Sequence, residues 1–174
     1  KEDYKKALRY FLKSMNIFKS LNAEKQLKWV TERISDQISD NYTCIGDVYF
    51  EKGENDKAMD YYRKGLEIDK LIGWQEGIAG DYRSFGEVYA AKGDFDKALV
   101  YYSKSLEIFS TTKDEVGLGG VYRALGKLYT KKGVYDRALN YFKQALPIYE
   151  KAGFPEAEEI KAEIAEIELK KTVK

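Results

Sequence analysis

Apolar positions recur at spacings of three and four along most of the chain. Ile78, Tyr82, Phe85 and Tyr89 make one stripe; Leu27, Val30, Ile34 and Ile38 lead into another with Tyr42 and Ile45. Residues so spaced share one face of a helix, so the stripes predict helices, and no alternating β pattern competes with them. Polar breaks separate the stripes. The helix predicted from Gln75 to Lys92 ends at Lys92-Gly93, where a cation suits the dipole and glycine takes a left-handed cap. Asp94 can N-cap the next helix and Asp96 adds negative charge to its first turn. That helix is expected to run to about Thr112, with Ala98, Tyr101, Tyr102, Ser105, Leu106 and Ile108 turned to neighbouring helices. Of the two prolines, Pro147 and Pro155, the second suits a helix start.

Shifted by 40 residues, the chain matches itself. Tyr42, Tyr82 and Tyr122 align, as do Gly46, Gly86 and Gly126, and Tyr49, Tyr89 and Tyr129. The register continues through Gly53, Gly93 and Gly133; Asp56, Asp96 and Asp136; Ala58, Ala98 and Ala138; Tyr61, Tyr101 and Tyr141; and Ile68, Ile108 and Ile148. Each unit reads as two helices, which is the pattern of a repeat array.

These motifs resemble the tetratricopeptide repeat (TPR) in a longer form of about 40 residues. The hydrophobic-Gly-x-x-Tyr element stands at Ile45–Tyr49, Phe85–Tyr89 and Leu125–Tyr129; the Gly-x-aromatic-x-x-Ala element stands at Gly93–Ala98 and Gly133–Ala138. Asn55 replaces the aromatic residue in the second unit, and the late proline is replaced by Lys70, Ser110 and Glu150, which fits longer second helices. The resemblance implies an all-α fold, a right-handed α-solenoid of antiparallel helix pairs forming a superhelix. The expected organisation is a second helix of a cut first repeat over 1–22, a repeat with an extended first helix over 23–72, repeats over 73–112 and 113–152, and a capping helix over 153–174.

The helical glycines Gly46, Gly86 and Gly126 each cost about 1 kcal/mol against alanine, which makes sense where two helices approach closely. Ala58, Ala98 and Ala138 are the expected opposing surface, and the recurring tyrosines the interhelix filling. Tyr4–Phe11 matches a second helix without its first. With no initiator methionine, the chain reads as a trimmed piece, and another repeat or a separate domain is expected before Lys1. Ala7 to Ala58 is 51 residues instead of 40, with the extra eleven between about Ala23 and Ser35. They read as about three added turns of helix, the alternative being an extended loop. Trp29 and Arg33 lie off the stripe, either facing a partner or covering the first helix. After Pro155, Ile160, Ile164, Ile167 and Val173 make a stripe among Glu and Lys, as a terminal cap requires.

Composition narrows the chemistry. The 174 residues hold 30 Lys and Arg, 29 Asp and Glu, no histidine and one cysteine. Zero histidine removes His-based triads, metal sites and proton switches. One cysteine allows no internal disulfide, and Cys44 reads as a buried small residue. The nearly balanced charge argues against nucleic acid, which requires a basic surface. No apolar run is long enough to span a membrane. Gly117-Leu118-Gly119-Gly120 with Gly126-Lys127 is not a phosphate loop, because the spacing is wrong and Leu128 replaces Ser or Thr. No carboxylate pair stands out as acid and base. No enzyme, cofactor or metal is therefore expected, and without an export signal the expected location is cytoplasmic.

What remains is a binding surface. The resemblance implies a concave face lined by the first helix of each pair. Its groove positions map to Thr43, Asp47, Phe50 and Glu51; to Arg83, Glu87, Ala90 and Ala91; and to Arg123, Lys127, Thr130 and Lys131. This groove would run from acidic and aromatic to basic, and its basic end suits an acidic peptide segment or a C-terminal carboxylate. Asp47, Glu87 and Lys127 stand where the family's carboxylate clamp has a key asparagine, which argues against chaperone tails. The expected function is a non-enzymatic protein-interaction scaffold that binds a peptide or partner helix. The alternatives are a regulatory or sensor module of a larger multidomain signalling protein, and self-association through the open N-terminal face.

Overall fold

The computed structural model describes residues 28–172; the half-repeat expected over residues 1–22, the side chains of Trp29 and Arg33, and Val173 lie outside the described residues. Seven helices follow one another there: α1 (Lys28–Glu51), α2 (Asn55–Ile72), α3 (Gln75–Ala91), α4 (Phe95–Thr112), α5 (Glu115–Lys131), α6 (Tyr135–Ala152) and α7 (Glu156–Thr172). No strand occurs among the described residues. α2, α4 and α6 begin at Asn55, Phe95 and Tyr135, forty residues apart. α1 spans 24 residues where α3 and α5 span 17, so residues 28–35 of the inserted stretch are helical.

Local sequence accounts for the helix ends. The Asp94 and Asp114 carboxylates accept from the backbone N–H groups of Lys97 and Gly117, satisfying donors with no intrahelical partner. Three helices close in the left-handed region, at Gly73 (φ 77°), Lys113 (φ 60°) and Gly153 (φ 71°). Pro147 lies inside α6 without ending it. Its ring faces solvent, where water can serve the carbonyl that loses its helical donor.

Packing follows the repeat. α1 packs on α2, α3 on α4, and α5 on α6; successive pairs join through α2–α3 and α4–α5, and α7 closes on α6. The helical glycines face rings. A Cβ at Gly46 would lie 2.5 Å from the Tyr62 ring, and one at Gly126 would lie 2.6 Å from Phe142; Tyr102 presses on Gly86 in the same way. The opposing surface nearest these glycines is thus an aromatic ring rather than the expected alanine, and Ala58, Ala98 and Ala138 are fully buried elsewhere in the same pairs. A second aromatic set lies beside it. Tyr61, Tyr101 and Tyr141 stack on Tyr49, Tyr89 and Tyr129 at centroid distances of 5.3, 5.4 and 5.6 Å.

Buried apolar residues divide into two clusters. One holds Ala58, Tyr62, Leu66, Ile78, Phe85 and Val88. The other runs from Ala79 through α4, α5 and α6 to Ile160 and Ile167 of α7. Cys44 corrects its expectation, being exposed. It stands two residues from buried Gly46, which turns it roughly 200° around the helix.

Candidate functional site

The first helices α1, α3 and α5 touch one another in sequence, whereas the second helices of successive pairs are in no comparable contact. A row that is tighter on one side curves toward that side. The mapped groove positions lie on α1, α3 and α5, so one row carries them all.

Many of these residues already have structural work. At the position shared by Thr43, Arg83 and Arg123, each side chain reaches the next helix of the row. The Thr43 hydroxyl donates to Asp81 Oδ1 at 3.1 Å. Arg83 lies against the backbone at Gly120, where a Cβ would strike its guanidinium, and is 3.8 Å from Glu87 of its own helix. Arg123 donates to Glu159 of α7. At the next position, Asp47 accepts from the Tyr62 hydroxyl at 2.7 Å, and Lys127 faces Glu163 of α7 at 3.6 Å. Ala90 is 8% exposed and has little surface to offer. The Thr130 hydroxyl donates back to the Gly126 carbonyl of its own helix. Phe50 is half-buried against the first apolar cluster, and Glu51, Ala91 and Lys131 are exposed.

Lys127, Thr130 and Lys131 do meet at one cleft, floored by Phe142 and walled by Glu163, Glu166 and Ile167 of α7. Its charge is mixed. The acidic residues of α7 pair with Arg123 and Lys127, leaving Lys131 without an ion pair among the described residues. Burial pushes the Glu163 carboxyl above the usual range, against the pull of Lys127 and then Arg123. Along the row, exposed charge therefore passes from Asp47 and Glu51 to Lys131.

The sequence reading missed two buried carboxylates. Asp69 of α2 and Asp81 of α3 are each 1% exposed. Desolvation pushes the Asp81 carboxyl up to about 8, with adjacent Asp69 as the next cause. The signal was present in the repeat register: forty residues later the same positions hold Phe109 and Val121, both buried apolar residues. Among the described residues no group of three or more His, Cys, Asp or Glu is placed to hold a metal ion, and no helix is long and apolar enough to cross a membrane.

A chain of helix pairs in nearest-neighbour contact is an all-α solenoid. Two models of the tetratricopeptide repeat match it, over residues 81–151 and 40–70, together more than half of the chain. The chain belongs to the tetratricopeptide-repeat family, and in general terms it is a protein-interaction scaffold. Among solved structures it is similar to BtubC (BKLC) from P. vanneervenii, with 23% identity and a TM-score of 0.55 over 98% of this chain and 75% of that one. MamA matches at 24% identity with a TM-score of 0.48, over 86% of each chain. No curated protein matches.

Proposed function

We propose that the row formed by α1, α3 and α5 holds an extended peptide or a partner helix. The observation that supports this most is the row itself. Three helices in sequential contact present exposed, graded charge from Asp47 and Glu51 to Lys131, beside the half-buried ring of Phe50. A partner segment whose acidic end lies toward Lys131 would match that gradient and could reach the cleft above Phe142.

The engaged residues dictate the test. Arg83→Glu or Arg123→Glu would break contacts between helices, so a loss of binding in either variant would be ambiguous. Glu51→Lys and Lys131→Glu, combined, reverse the exposed charge at both ends of the row instead. The measurement is affinity capture from source-cell lysate with the parent and this variant, after circular dichroism shows equal helix content. Partners held by the parent and lost by the variant support groove binding. Partners held equally by both place the interaction elsewhere on the chain.

A further inference from the structure

Two positions of the row recur with different partners. On α1 they hold Thr43 and Asp47, both hydrogen-bonded, to Asp81 and Tyr62. On α5 they hold Arg123 and Lys127, and α7 brings them the carboxylates of Glu159 and Glu163. On α3 they hold one cation and one anion, Arg83 and Glu87, and the helix facing Arg83 supplies no carboxylate. The backbone at Gly120 of α5 lies under the guanidinium, where a Cβ would strike it, and the residue four further on is Ala124, 6% exposed.

Arg83 and Glu87 are left to each other, and they hold each other loosely. Nε of Arg83 is 3.8 Å from Glu87 Oε1, too far for a hydrogen bond, and it meets no acceptor among the described residues. The two side chains are 36% and 35% exposed, so a ligand can reach both. A carboxylate brought here is attracted by Arg83 and repelled by Glu87, and an ammonium the reverse. A neutral amide satisfies both, its carbonyl accepting from Arg83 while its N–H donates to Glu87. In an extended residue the N–H and C=O face the same side, as in ladder pairs that exchange both bonds. In a helix those groups are already bonded within the helix, so the pair selects an extended segment over a partner helix. α3 is also the middle helix of the row, and a segment reaching from Glu51 of α1 to Lys131 of α5 passes over it.

We propose that Arg83 and Glu87 form an amide clamp at the centre of the row, gripping one backbone residue of an extended partner segment whatever its side chain. The inference rests on the reading of the row as a groove and narrows it. Main-chain hydrogen bonds of this kind supply affinity, and the exposed charges of Glu51 and Lys131 then set direction.

The test uses the full chain, with linear peptides selected on it from a random displayed library as the probe. Peptides that the combined Glu51→Lys and Lys131→Glu variant no longer holds are ligands of the row. Each of their amides is N-methylated in turn and the dissociation constant is measured by calorimetry on the parent and on Glu87→Met. Methylation of one central amide is expected to weaken binding to the parent about tenfold, and to cost nothing further on Glu87→Met, which has already lost the acceptor. An equal loss on the parent and on a folded Glu87→Met variant overturns the clamp. Tolerance of methylation at every residue, or circular dichroism showing the peptide helical when bound, overturns it on the parent alone and leaves the row reading standing. Peptides that all bind regardless of Glu51 and Lys131 remove the row reading and the clamp together.

Discussion

Gly73, Lys113 and Gly153 share one repeat position and one left-handed backbone conformation, yet only Lys113 carries a Cβ there. A non-glycine residue in that region costs about 1 kcal/mol. Lys113→Gly is therefore expected to raise stability by about 1 kcal/mol, a difference that urea unfolding followed by circular dichroism resolves. Cys44 makes a second prediction at this scale. Because it is exposed, the native protein should react with a thiol reagent in full and without denaturant. A reaction delayed until unfolding would show that the thiol is covered. The sequence alone misplaced this residue because a stripe fixes which residues share a face only to within a turn, whereas the ring packed on Gly46 decides which face is inside.

Each helix pair is held by a glycine under an aromatic ring, and helix propensity cannot predict what happens when that glycine is replaced. Propensity alone favours alanine over glycine by about 1 kcal/mol at any interior helix position. At Gly80 there is nothing within 4 Å of an added Cβ, so Gly80→Ala should stabilise by about 0.5–1 kcal/mol. At Gly86 the Cβ would run into the Tyr102 ring, and overpacking costs about 1–3 kcal/mol. Gly86→Ala should therefore destabilise, despite the identical change in propensity. Thermal or urea unfolding of the two variants gives opposite signs if the ring contact controls the position, and the same sign if propensity does. The existence of the helices and their approximate ends were legible in the stripes, the caps and the glycines. The partner of each glycine was not, because a repeat register aligns equivalent residues without showing which of them touch.

Among the described residues, contacts run between helices one or two places apart in the chain, so damage should stay local. Ile160 and Ile167 of α7 are 0% and 2% exposed and close the second apolar cluster. Ile160→Ala should cost about 2–4 kcal/mol. In a nearest-neighbour array that loss falls first on α7, α6 and α5. Hydrogen exchange should show lost protection there with α2 little changed, and uniform loss along the chain would contradict a linear array. The same geometry explains why the candidate groove was only partly legible. Sequence spacing placed Thr43, Arg83 and Arg123 at one position of the row. It could not show that this position reaches the next helix, to Asp81, to the backbone at Gly120 and to Glu159.

The amino-acid sequence by itself determined the helical class, the forty-residue register and the family, because periodic apolar stripes and recurring glycines depend only on local geometry and on position along the chain. Only the tertiary structure decided which polar groups face water and which face one another. The α7 carboxylates meet Arg123 and Lys127, and Asp69 meets Asp81, across boundaries between helices. Ion pairing and desolvation depend on distances in space, and residues about 36 apart in the chain come within a few ångströms only after the helices have stacked.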